Sequence, residues 1–137
     1  MDKPQPRSVL FVCTMNAVRS PMAAGLLRHF KGRELYVESA GVQAGELDPM
    51  TVQVMAELGI TLTDHQPRSY EEFRGQEFDL VVALSKEAEQ HAKGGAAAIE
   101  YWQTVDPTQV EGSYEQRKAA YRAVRDALKR QIAAKFG

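Results

Sequence analysis

One cysteine occurs in the 137 residues, and it opens the segment Cys13-Thr14-Met15-Asn16-Ala17-Val18-Arg19-Ser20-Pro21. A thiol, five residues, an arginine and a serine is a spacing that wraps a tetrahedral oxyanion. Only a thiolate attacks, and a ring of backbone N–H donors, a helix N-terminus and a nearby guanidinium all favour that form. Arg19 offers a planar fork that matches two phosphoryl oxygens, which a lysine does not. Ser20 can donate its hydroxyl hydrogen to the Cys13 sulfur, holding the thiolate and easing its departure. Asn16 tolerates the left-handed backbone that a loop needs to turn its amides inward. The expected phosphate-binding loop is therefore Cys13, Thr14, Met15, Asn16, Ala17, Val18, Arg19 and Ser20.

The flanking elements must position that loop. Ser8 to Val12 is apolar and β-branched without alternation, as in a parallel strand buried on both faces. From Pro21 the period changes, with Met22, Ala23, Leu26, Leu27 and Phe30 at helical spacing. Ser20 reads as the helix N-cap and Pro21 as the first helical residue. Without these neighbours, Cys13 would read as a small buried strand residue and Arg19 as a surface residue. With them, the segment reads as a strand-to-helix anion loop.

Further along, strands and helices alternate. Tyr36 to Ala40 is a short strand, and Asp48-Pro49 opens a helix with Val52, Met55 and Leu58 inward and Gly59 as its stop. Ser69 and Glu72 form a capping box for a short helix through Arg74. Phe78 to Leu84 is a strand, Ser85 can cap a helix running to about Lys93, and Ile99 to Trp102 is a weak fourth strand. Ser113 and Gln116 box the start of a long terminal helix with the stripe Tyr114, Tyr121, Val124, Leu128, Ile132 and Phe136. This order predicts a three-layer α/β/α fold: a four-stranded parallel sheet, with the phosphate-binding loop after strand 1. Ligands of such sheets sit at the carboxyl ends of the strands. Breaking a phosphate ester also needs a proton for the departing oxygen. Asp106, in Asp106-Pro107 after the weak fourth strand, belongs to that same end. An Asp-Pro pair is often only a turn; beside a thiol loop it is a candidate general acid.

The whole chain bounds the rest. A length of 137 residues fits a single domain, residues 1–137, able to bury its own core. A net charge of −1 implies neither nucleic acid nor a membrane surface as partner. No apolar run approaches the ~20 residues of a membrane span. One cysteine excludes a disulfide framework, and the N-terminal residues lack a signal-peptide core, so a cytoplasmic location is expected. His29, His65 and His91 lack metal-ligand spacing, and neither metal nor cofactor is expected.

Cys13-x5-Arg19-Ser20 near one end and Asp106-Pro107 near the other resemble the low-molecular-weight protein tyrosine phosphatases and their relatives, the thiol-dependent arsenate reductases. The resemblance covers nearly the whole chain. It implies catalytic roles for Cys13, Arg19 and Asp106, and loop support by Asn16, Ser20, Ser39 and His65. It also implies a phosphocysteine on Cys13, with Asp106 first protonating the leaving group and then activating water. There are departures: Met15 stands at a usual glycine, Val18 at a usual second cysteine. Thr108, Gln109 and the stretch Val42 to Leu47 carry none of the aromatic rings that usually wall a phosphotyrosine. Trp102, four residues before Asp106, is similar to the reductase branch. Ser85 and about Ala92, however, stand where the reductases that use an internal relay carry further cysteines.

The expected function is a cysteine-dependent phosphomonoester hydrolase of protein-tyrosine-phosphatase type, acting on a phosphorylated protein or small phosphomonoester. The alternative is an arsenate reductase using an external small thiol or glutaredoxin-type partner. A third reading is a non-catalytic oxyanion- or phosphoprotein-binding module.

Overall fold

The computed structural model describes residues 5–92 and 98–137. Four strands, β1 (Ser8–Cys13), β2 (Tyr36–Gly41), β3 (Leu80–Ala83) and β4 (Ile99–Tyr101), form one parallel sheet in the order β2-β1-β3-β4. Helices α1 (Arg19–Lys31), α2 (Pro49–Ala56), α3 (Lys86–Ala92) and α4 (Tyr114–Phe136) cover it on both faces, giving three layers. Short 3₁₀ turns occupy Tyr70–Phe73 and Pro107–Gln109.

The unbroken apolar run of β1 has a direct structural reading. Val9, Phe11 and Cys13 face the core under α1, α2 and α4, while Leu10 and Val12 face the core under α3 and the Tyr70–Phe73 turn. Each such side chain taken from water is worth roughly 1.5–3 kcal/mol. Trp102 closes the edge of the larger core, its ring edge-on to Phe11 at 5.9 Å. Strands β2 and β3 leave β1 on opposite sides, so the connections after β1 and β3 diverge and open a crevice at their carboxyl ends.

Local sequence signals set several boundaries. Asp48 caps α2, accepting the Met50 N–H at 2.9 Å, and Gly59 beyond it adopts φ +75°. Both hydrogen bonds of the Ser113–Gln116 capping box form at the start of α4. The Ser69–Glu72 box also forms, but it opens a 3₁₀ turn ending at Phe73 rather than a helix through Arg74. Ser85 accepts the Ala88 N–H at 3.1 Å as α3 begins; Lys93, the expected end of that helix, lies outside the described residues.

Three expectations need correction. Helix α1 begins at Arg19, its capping position is Val18, and no side chain caps it; Ser20 lies inside the first turn, its hydroxyl bonded elsewhere. Phe30 and Tyr114, placed on inward stripes, are 50% and 48% exposed, because each stripe drifts off the buried arc at its end. In α2, Met50 and Val54 join Met55 as the buried residues, while Val52 and Leu58 pack only at the core margin. Among the described residues, no helix is long and apolar enough to cross a membrane.

Candidate active site

The loop between β1 and α1 is held by its carbonyl oxygens. That of Cys13 accepts from Val42 N (2.9 Å), Thr14 from Gln43 N (2.9 Å), Met15 from Gly45 N (2.8 Å) and Ala17 from Asp48 N (3.2 Å). His65 Nε2 lies 3.3 Å from the Asn16 oxygen, and Val18 oxygen accepts from Met22 N at 3.1 Å. Six successive carbonyls thus bond away from the loop, and among the described residues the amides of Thr14 to Val18 have no acceptor. A peptide unit carries its N–H opposite its C=O, so these amides are turned away from the carbonyl anchors, toward the space the loop encloses. Together with the open first turn of α1 they make an anion cradle. The uncapped start of α1 fits this use, since a capping side chain would occupy donors that an anion needs.

Asn16 is the hub of the cradle. Its backbone sits at φ +54°, and its fully buried amide nitrogen donates to Ser20 Oγ at 2.8 Å and Ser39 Oγ at 2.9 Å. Its Oδ1 accepts the Arg68 N–H at 2.8 Å. Three segments, α1, β2 and the stretch at Arg68, are thereby tied to one side chain. Gly41 makes the approach possible, because a Cβ there would fall 2.5 Å from the Asn16 nitrogen.

Cys13 is 3% exposed at the end of β1. Its Sγ lies 2.9 Å from Ser20 Oγ. That hydroxyl has a second contact, the Ala40 carbonyl at 3.2 Å, and accepts from Asn16. Its single hydrogen can go to a thiolate or to the carbonyl, so Ser20 can stabilise the sulfur anion as it forms.

Arg19 projects across the mouth. Its Nη1 donates to the Leu84 carbonyl at 3.2 Å and to Thr104 Oγ1 at 3.4 Å, and its Nη2 lies 4.0 Å from Asp106 Oδ2. Asp106 is itself oriented: its Oδ1 accepts from Thr108 N at 3.0 Å and Thr108 Oγ1 at 2.7 Å. The other carboxylate oxygen is left toward Arg19. The geometry therefore brings Cys13, Arg19, Ser20 and Asp106 to one end of the sheet, with Asn16, Ser39 and His65 beneath the loop. Burial is the largest influence on His65, pushing its imidazole below the ordinary value, and Arg28 and Arg68 act the same way.

Sequence reasoning missed two positioning contacts. Thr104 donates to the Leu84 carbonyl at 2.6 Å, stapling the segment before Asp106 to the end of β3. Tyr121 of α4 donates to Asp48 Oδ2 at 2.5 Å, and Asp48 holds the Ala17 carbonyl. Neither has a local signature, since the partners are 20 and 73 residues away. Burial and the Asp48 carboxylate push the Tyr121 phenol far above its usual value, so it remains a donor.

Comparison with known proteins shows the family and the fold. The family described as low molecular weight phosphotyrosine protein phosphatase matches residues 8–136. An arsenate reductase of Halalkalibacterium halodurans is 33% identical over 126 residues, spanning 90% of this chain and 91% of that protein. An arsenate reductase of Bacillus subtilis (strain 168) is 32% identical over 122 residues, 88% of each chain. Among solved structures, an arsenate reductase in the phosphate binding state superposes with a TM-score of 0.78 at 25% identity, covering 93% of this chain and 95% of that one. The YwlE arginine phosphatase, with a phosphorylated active site serine, superposes with a TM-score of 0.75 at 27% identity over 91% and 90%.

Proposed function

Because this chain belongs to the low-molecular-weight phosphotyrosine protein phosphatase family, we propose that it hydrolyses phosphomonoesters, with phosphotyrosine in proteins as the substrate class, through a phosphocysteine on Cys13. The observation that carries this reading is the cradle itself: inward amides around a cysteine sulfur, with Arg19 and a half-exposed Asp106 at its rim. The equatorial oxygens of the phosphoryl group take the loop amides and the Arg19 fork, which stabilise charge where it spreads in the transition state. Cys13 sulfur attacks phosphorus as the ester P–O bond breaks, and Asp106 gives its proton to the leaving oxygen. Asp106, now a carboxylate, takes a proton from water, whose oxygen attacks phosphorus and releases phosphate. The sulfur leaves as a thiolate, and the Ser20 hydroxyl supports it.

The relatives called arsenate reductases favour a second reading. In it Cys13 sulfur would attack arsenate, and a thiol would then take the sulfur as a disulfide while arsenic leaves as arsenite. With one cysteine in the chain, that thiol must come from outside. The hydrolase needs no second thiol, so it ranks first. The test is p-nitrophenyl phosphate turnover by the wild type, Cys13→Ser and Asp106→Asn. Turnover abolished in the first variant and cut about 10²-fold or more in the second is expected. Negligible wild-type hydrolysis, with arsenite released when glutathione and a glutaredoxin are supplied, would reverse the ranking.

A further inference from the structure

In the nucleophile loop, Cys13, Asn16 and Val18 are buried, yet Met15 is 41% exposed. Its place is built. The Met15 carbonyl accepts from Gly45 N at 2.8 Å, and its side chain lies over Gly45, where a Cβ would come within 3.1 Å of Met15 Cε and 3.2 Å of its Cβ. The residue opposite thus has no side chain, and the thioether fills that space. The neighbouring carbonyls of Cys13 and Thr14 fix the same 42–45 stretch, so the Met15 backbone is held against Gly45. The result is an exposed, apolar, polarisable surface two residues from the Cys13 sulfur in the same loop.

We propose that Met15, seated on Gly45, is a specificity-determining wall of the mouth that receives the aromatic group of a phosphomonoester. This rests on the phosphomonoesterase reading above and names the ligand surface of that same site. A thioether beside a ring edge is a favourable contact, and the loop amides and Arg19 fix only the phosphoryl end. Selection for an aryl group over a small alkyl group then falls to whatever apolar surface flanks the cradle.

The test is binding rather than turnover, so that it stays separate from the question of catalysis. Benzylphosphonate and methylphosphonate share the charged end and differ in the ring. Calorimetric titration of wild type, Met15→Gln and Met15→Leu with both gives six affinities. The expected result is a benzyl-to-methyl preference that falls about fivefold in Met15→Gln and returns to within about twofold in Met15→Leu. An unchanged preference in Met15→Gln would overturn the proposal, and so would an equal loss for both ligands, which would mark Met15 as a loop-shape residue. If the wild type hydrolyses no ester but shows the expected binding pattern, the catalytic reading fails and the wall stands.

Discussion

The guanidinium of Arg19 and the hydroxyl of Thr104 converge on one acceptor, the Leu84 carbonyl oxygen, at 3.2 and 2.6 Å. This shared oxygen lies just past β3, so one backbone atom registers the arginine from the loop after β1 against the segment carrying Asp106. Arg19 can present a fork to a phosphoryl group only if its plane is held, and Thr104 holds it from one side.

Thr104→Val keeps the shape and removes the hydroxyl. With a hydrogen bond to a charged group worth about 1.5 kcal/mol, the KM for p-nitrophenyl phosphate should rise about tenfold. Thr104→Ser should stay within about twofold of wild type, since it keeps the hydroxyl. Steady-state kinetics with inorganic phosphate as competitive inhibitor checks both, and the inhibition constant should move with KM. Equal behaviour of the valine and serine variants would remove Thr104 from the positioning of Arg19.

The 2.9 Å contact between Ser20 Oγ and Cys13 Sγ predicts a step-specific defect. In the proposed mechanism Ser20 would stabilise the sulfur anion as it leaves phosphorus, so Ser20→Ala should slow breakdown of the phosphocysteine. Loss of one such donor costs about 10²-fold. Rapid mixing with p-nitrophenyl phosphate should then show a burst of about one nitrophenolate per enzyme and a slow steady state. A linear progress curve at the wild-type rate would assign the hydroxyl to structure alone.

Stability should depend on pH through His65. Burial lowers its folded pKa below the unfolded value of about 6.5. Below that pH the unfolded chain gains a proton that the folded one resists. Stability is therefore full above about pH 6.5 and declines as pH falls toward the folded pKa. Urea midpoints at pH 7.5, 6.5 and 5.5 should fall more steeply for wild type than for His65→Gln, which can still donate to the Asn16 oxygen. Parallel slopes would show that other groups set the acid limb.

How much was legible in the sequence follows from the range of each interaction. The nucleophile loop could be read because its parts are contiguous: an apolar run, a thiol, an arginine and a proline-bearing helix start lie within 14 residues, Ser8 to Pro21. Asp48 and Ser113 were readable as caps because a cap bonds an amide two or three residues on. Ser20 misled for the same reason. Its local chemistry suits a cap, but Cys13, Asn16 and Ala40 compete for its one hydroxyl, and only the packed fold brings all three to it.

By itself, then, the sequence determined the alternating β/α order and the carboxyl-end placement of Cys13 and Asp106. Tertiary structure decided the aim of Arg19, the hub at Asn16 and the seating of Met15 on Gly45. Those depend on backbone atoms of Leu84, Arg68, Gly41 and Gly45, whose amides and carbonyls carry no side-chain signature. Chain folding alone sets where such atoms meet.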